Sequence, residues 1–438
     1  MQMRLIRRLS TVSIVALPLL WIITAGGPAH GEALELDLDK CVDMALEVNV
    51  SVLKAEYELD QAGNAVITSA SLLLPDVSAY STHSKYEKSF ARQVGDKVIE
   101  VDRSYTASLN VSENVAFGSV MSVFESLAGK RSTKHYVRMI RQEVSLLAKE
   151  KYLGVLKARR LLVVVQEALD LSQRRLEKAE AMLEVGSSVR SDVLRAQVEL
   201  SNNELDLIIA RNALRLAETD LRHFLKVDDD VDLDLKDILE AREETYSLEE
   251  ALATAIELRP DVQSATESLK ASRHAVWRER GAWFPSLNFR WSDGYTSDRF
   301  PDEISSLRDD AEWRWDLTAS FNLFDGLYTF GRVRNAKASR SSAEEDLRQL
   351  RRDAVFEIKQ AYYNVEEARQ RVKVSRETVG LAEEELRLAE ERFRLGGGTM
   401  LEQIDSQVAL SEARTAYVDA LHDYLLSQAR LEKAMGKD

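Results

Sequence analysis

The chain has 438 residues, 45% apolar and 30% charged, which is enough apolar material for a large core and too much for a disordered polymer. A net charge of -14 argues against nucleic acid as a partner, because a phosphate backbone needs a basic face and no run of Lys or Arg supplies one. The single cysteine, Cys41, excludes an internal disulfide and any multi-cysteine metal cluster.

Arg4, Arg7 and Arg8 precede an apolar run from Leu9 to Ile23, and small residues follow up to Ala29-His30-Gly31. This order predicts a signal peptide over residues 1–31, cut before Glu32, and therefore an exported chain. The alternative, a membrane anchor, needs a longer run than this one. No later segment approaches eighteen uncharged apolar residues, so no transmembrane helix is expected.

The remainder reads as one unit written twice. Shifted by 210 residues, positions 152–201 and 362–411 share fifteen identities in fifty, among them Tyr152/Tyr362, Gly186/Gly396 and Gln197/Gln407. Unrelated helical sequences would share roughly three to five, so duplication is the better account. Further matches run from Leu38/Leu248 to Pro75/Pro285. Residues 32–227 form the first repeat, 228–247 a linker or equatorial segment, and 248–438 the second repeat. The linker run "DDDVDLDLKD" lacks the glycine a calcium loop needs at its sixth position, where Leu233 stands, and is expected to be solvated.

Each repeat is predicted to run helix, two strands, very long helix, glycine break, helix. The helices fall near 38–72, 119–184 and 190–225, then 248–283, 328–395 and 399–435. In the last repeat Ile358, Val365, Val372, Val379, Leu386 and Phe393 recur every seven residues, with Ala361, Ala368, Ser375, Ala382 and Ala389 between them. A 3.5-residue period over five heptads predicts a left-handed coiled coil, and small seam residues allow close approach. A plain bundle would not need a helix of about 100 Å.

Between the first two helices of each repeat the period becomes two. Tyr105, Ala107, Leu109 and Val111 alternate with polar residues, as do Leu287, Phe289 and Trp291, and Trp313, Trp315, Leu317, Ala319, Phe321 and Leu323. The first strand of the first repeat lies near Val77 to Lys85. Such alternation fits a sheet on a soluble core or a transmembrane β-barrel. Strands of about ten to twelve residues with aromatics near their ends favour the barrel, with Leu109, Val111, Leu287, Phe289, Trp291, Trp313, Trp315, Leu317 and Phe321 facing lipid. Four strands cannot close, and open edges are not tolerated in lipid, so three chains supplying twelve strands is the economical solution.

"LDKCVDMALEVN", "LLPDVSAYS", "VGSSVRSDVLRAQVELS" and "LEKAMG", in this order on a duplicated plan, resemble the TolC-like outer-membrane efflux proteins over residues 36–436. The resemblance implies a mainly α chain with a transmembrane β-barrel: a trimeric twelve-stranded barrel continuous with a long antiparallel coiled-coil tunnel. It also implies the outer membrane of a Gram-negative bacterium, with the helices in the periplasm, and partners in a periplasmic adaptor and an inner-membrane pump. Two departures stand out. Asn49-Val50 replaces the family's Asn-Pro, and the lipid-attachment cysteine of one branch is absent, which implies a non-lipidated member.

The breaks "LEVGSSVRSDVLRAQ" and "FRLGGGTMLEQIDSQ" read as hairpin tips. Gly186 can end a helix in the left-handed conformation, Ser187 and Ser188 turn the chain, Ser191 or Asp192 cap the return, and Val193 and Leu194 resume the seam. Gly396, Gly397, Gly398, Thr399 and Ile404 repeat the design. These tips are the expected adaptor contacts. Glu390, its repeat partner Glu180, and Glu383 are candidates for charged rings at the periplasmic entrance that favour cations.

Enzyme chemistry finds no support. The six histidines are scattered without metal-ligand spacing, and "LGGGT" lacks the lysine and preceding strand of a phosphate loop. No catalytic residue, cofactor or metal is expected. The reading is a passive export duct for small molecules or proteins. Its rival is a soluble periplasmic scaffold or adaptor, which would have no use for aromatic-belted strands.

Overall fold

A computed structural model of the chain describes residues 34–437 apart from 95–96, 230, 241–246, 250, 253–257 and 298–310. The expected signal peptide, 1–31, lies outside the described residues.

The first repeat opens with α1 (Leu38–Val48) and α2 (Val50–Ser71). The single helix expected over 38–72 is therefore two, broken at Asn49. Its backbone is extended, its N–H closes α1 on the Ala45 carbonyl, and its side-chain oxygen accepts from Ser51 N at 2.8 Å to start α2. In the second repeat the break falls before α5 (Pro260–Arg280), where Pro260 takes the first helical turn. Asn49 thus does with a side chain what proline does with its ring. Of the helix expected over 248–283, residues 248–249, 251–252, 258 and α5 are helical among the described residues, and Gly281–Trp283 adds a 3-10 turn.

Four strands follow the first helices: β2 (Asp76–Val94) and β3 (Lys97–Val115) in the first repeat, β5 (Ser286–Ser297) and β6 (Glu312–Ser320) in the second. They form one antiparallel sheet in the order β2-β3-β5-β6. The first pair has 19 residues per strand, longer than expected; at about 3.3 Å per residue that exceeds a bilayer span. Phe321 lies beyond the end of β6, so its assignment to a strand is corrected: it is exposed in the connection to the next helix.

The long helices are α3 (Phe117–Glu184), with 68 residues, and α6 (Tyr328–Arg394), with 67, each about 100 Å in length. Each folds back through its glycine break into α4 (Arg190–Leu225) or α7 (Met400–Ala434). The predicted seam of α6 is buried at Ile358, Ala361, Val365, Ala368, Val372, Ala382, Leu386 and Ala389. Alternating large and small side chains let α7 and α6 approach closely along this line.

The segment 228–247 corrects the expectation of a solvated linker. Within its acidic run, β4 (Leu233–Leu235) pairs in parallel with β1 (Leu34–Leu36), and Leu233, Leu235 and Leu239 are buried. They join Cys41, Tyr152, Val155, Leu225, Ile358 and Leu431 in the largest apolar cluster. Tyr152 fastens the small sheet to α3: its hydroxyl donates to the Leu36 carbonyl at 3.1 Å and the Lys236 carbonyl at 2.7 Å. This cluster is the belt where both repeats meet at mid-length.

Candidate functional site: sheet faces and hairpin tips

The sheet register sorts side chains into two faces. Residues paired across an antiparallel ladder project to the same side. Val111 pairs with Trp291, which pairs with Trp315, while Leu109 pairs with Asp293, which pairs with Trp313. Leu287 pairs with Ala319 and Phe289 with Leu317. Eight of the nine residues predicted to face lipid therefore share one face: Leu109, Val111, Leu287, Phe289, Trp291, Trp313, Trp315 and Leu317. The other face aligns Ser78, Asn110, Ser292 and Arg314, and one step along, Asp76, Ser112, Arg290 and Asp316. A mainly apolar face, interrupted by Glu113 and Asp293, opposite a polar one matches a barrel wall between lipid and water. Among the described residues no helix is long and apolar enough to cross a membrane.

Aromatic rings gather where sheet meets helices. Phe117 lies 4.9 Å from Phe284 and 6.5 Å from Trp277, and Trp283, Phe284, Phe324 and Tyr328 are exposed beside them. Near the other end, His83 stacks on Tyr105 at 4.4 Å.

At the opposite pole lie the tips. After α3, Gly186 adopts φ +73°, and the N–H groups of Ser187 and Ser188 both donate to the Met182 carbonyl, closing the helix end. Gly396 repeats this at φ +77°, with Gly397 N donating to the Arg392 carbonyl at 2.9 Å. The returns start differently. Thr399 caps α7 by accepting from Glu402 N, whereas α4 has Val189 at its cap position and no side-chain cap. The expected cap by Ser191 or Asp192 is therefore corrected: Asp192 lies inside the first turn and accepts from the Ser188 hydroxyl at 3.1 Å.

The two tips of one chain pack together through Ala179, Ala196, Met400 and Ile404, with Leu176, Val193 and Phe393 around them. Val193 and Ile404, expected as partner contacts, are thus occupied inside the chain. Gly186, Ser187, Leu194, Gly396, Gly397 and Thr399 are exposed, and Ser188, Asp192 and Gly398 are half-buried. Val185, Val189 and Leu395, which the pattern did not single out, are exposed apolar residues at these turns.

The entrance carboxylates have cationic neighbours. Glu383 accepts from Arg414 Nη2 at 2.9 Å, and the same guanidinium reaches Glu167 on α3, tying one hairpin to the other. Glu390 stands in the field of Arg175, a buried α3 residue whose pKa is lowered by burial against the pull of Glu199 and Glu390. Glu180 is exposed on α3. Arg414 and Arg175 are the residues that sequence reasoning missed, since each reaches its carboxylate from another helix.

The sequence profile of the family described as outer membrane efflux protein matches residues 41–225 and 251–437, once per repeat. The chain belongs to the outer membrane efflux protein family. Outer membrane protein TolC of Vibrio cholerae is 23% identical over 427 residues, covering 95% of this chain and 94% of TolC. The solved structure of CusC superposes with a TM-score of 0.79 at 16% identity over 95% of this chain and 96% of that one. VceC from Vibrio cholerae gives 0.79 at 17% identity, covering 91% and 96%. As a member of this family the chain is an outer-membrane efflux channel and not an enzyme, with its sheet in the membrane and its helices in the periplasm.

Proposed function

We propose that three copies close into one continuous duct that carries small molecules or proteins from a periplasmic adaptor and inner-membrane pump to the exterior. The observation that carries this is a difference in burial between repeats. Leu426, Val418 and Ile404 on α7 are 6%, 8% and 9% exposed, whereas their counterparts Leu216, Ile208 and Leu194 on α4 are 61%, 64% and 53% exposed. In the second repeat α7 lies between α6 and the α3 of the first repeat; α4 has α3 on one side and this apolar stripe on the other. On α6, Val374, Leu381 and Leu388 form a matching exposed stripe at seven-residue spacing, continued by Leu395 just past the helix end. A neighbour's α6 laid on α4 repeats the α3–α7 contact between chains.

The sheet calls for the same step. Within the chain, β3 of the first repeat pairs with β5 of the second, while β2 and β6 end the sheet. Pairing β6 with the β2 of a neighbour continues the pattern, and a head-to-tail contact that closes makes a ring. Two chains would give eight strands, a barrel filled by side chains; three give twelve and leave room for a duct.

The exposed residues of the tips, Gly186, Ser187, Leu194, Gly396, Gly397 and Thr399, form the surface offered to the adaptor. The entrance opens when one hairpin shifts against the other, and Arg414 between Glu167 and Glu383 is a tie that this movement breaks. Light scattering on protein extracted from the membrane fraction by detergent tests the reading. Three chain masses are expected, and a soluble single chain contradicts it.

A further inference from the structure

About two to three turns above the tips, α3, α6 and α7 enclose a pocket of about 620 Å³. Leu171, Arg174, Arg175 and Lys178 line it from α3, spaced three, four and seven residues along one helix face. Arg387, Glu390, Glu391 and Arg394 line it from α6 with the same spacing.

Some of these charges are already engaged. Arg174 holds Asp170 at 2.5 Å, and Arg387 holds Glu384 at 2.6 Å and Glu391 at 2.9 Å. That leaves Arg175, Lys178 and Arg394 facing Glu390, with Glu199 of α4 behind Arg175. Lys178 also lies over the Phe393 ring, 5.0 Å from its centroid. Arg175 is the unusual member. It is 7% exposed, and its buried Nη1 has no hydrogen-bond partner. A buried guanidinium nitrogen without an acceptor is costly, and a site that retains one is built for an acceptor supplied from outside.

The duplication strengthens the case. Shifted by 210 residues, Arg174 and Arg175 become Glu384 and Glu385, while Arg387 and Arg394 become Glu177 and Glu184. In the same stretch Leu176/Leu386, Ala179/Ala389 and Gly186/Gly396 are unchanged between repeats. The scaffold is kept and the charge inverted at these four positions, while Lys178 becomes Leu388 and Glu390 keeps its sign as Glu180, so the basic wall belongs to this junction and is not a general solvated face.

We propose that this pocket is an oxyanion site, taking a carboxylate or a small inorganic oxyanion on the Arg175 guanidinium, with Lys178 and Arg394 closing over it. Every liganding group comes from one chain, so the site does not depend on ring closure. Filled, it bridges α3 of the first hairpin to α6 of the second and holds the tips in the arrangement described.

Calorimetric titration of the detergent-extracted full chain at constant ionic strength tests this, with sodium sulfate in one arm and an end-blocked helical peptide bearing three glutamates in the other. One saturable site per chain is expected. Arg175→Gln and, separately, the exposed Arg394→Gln weaken binding roughly ten-fold or more, as the loss of a charge-assisted hydrogen bond requires. Glu385→Gln, at the inverted position, leaves it unchanged. Tighter binding of the peptide points to a partner's carboxylate as the ligand, and tighter binding of sulfate to a free anion. The proposal is overturned if neither probe saturates the wild type, or if both arginine variants, with wild-type helicity, bind as it does.

Discussion

Gly118 and Gly281 cross backbone to backbone: a Cβ on Gly281 would lie 2.5 Å from the Gly118 nitrogen and 2.7 Å from its Cα. The contact fixes the start of α3 against the end of α5 directly beneath the sheet, beside the Phe117–Phe284 pair. No flexible side chain is present to yield, so the helices themselves must move. Gly281→Ala is expected to cost about 1–3 kcal/mol, the usual penalty for overpacking. Gly331→Ala, on α6 with open space around it, is the control and is expected to be neutral or slightly stabilising. Thermal unfolding of the two purified variants compares them.

Tyr152 fastens the equatorial sheet, and burial pushes its phenol up to about 12, so it stays a proton donor throughout the physiological range. Tyr152→Phe leaves the Leu36 and Lys236 carbonyls without this donor in a buried site. A loss of about 1–3 kcal/mol follows, with faster proteolysis of the 228–240 segment than of the hairpins.

Cys41 sits fully buried in the same cluster, and burial raises its thiol to about 12. Only the thiolate reacts, so at pH 8 the native protein is expected to resist maleimide, while the denatured chain labels rapidly at its lone thiol. Mass spectrometry of the labelled chain reads both limits.

Leu216 is exposed in the single chain, and the proposed ring covers it. Leu216→Asp should leave helicity intact and break the assembly into single chains, because a neighbour would have to bury an unpaired carboxylate. Glu312→Lys, on the polar face of the sheet, is the control and should leave the particle mass unchanged. Light scattering distinguishes them.

Much of this architecture was legible because it is periodic. The seven-residue spacing from Ile358 to Phe393 marks a buried seam, and the alternation through Leu109 and Val111 or Trp313 and Trp315 marks a face. Short features escaped. β4 is three residues in an acidic run, and the alternation of Leu233 and Leu235 is too brief to outweigh its charged neighbours. Asn49 breaks a helix through one side-chain bond, which leaves no trace in the apolar pattern. The entrance was the least legible part. Glu383 and Glu390 read as bare carboxylates until the fold brings Arg414 from α7 and Arg175 from the other repeat beside them. Long-range pairing of this kind has no local sequence signal.

The central claim is that neighbouring chains meet as the two repeats meet within one chain. Inside the chain Gln407 Nε2 donates to the Ala168 carbonyl at 3.0 Å; the repeat places Gln197 of one chain against Thr378 of the next. Cysteines at both positions, Gln197→Cys with Thr378→Cys, test this by mild oxidation in isolated membranes, since native Cys41 is buried. The account predicts a covalent ladder that ends at three chains and is absent from either single variant. Migration as one uncrosslinked chain after oxidation, with the cysteines still accessible to maleimide, would contradict it.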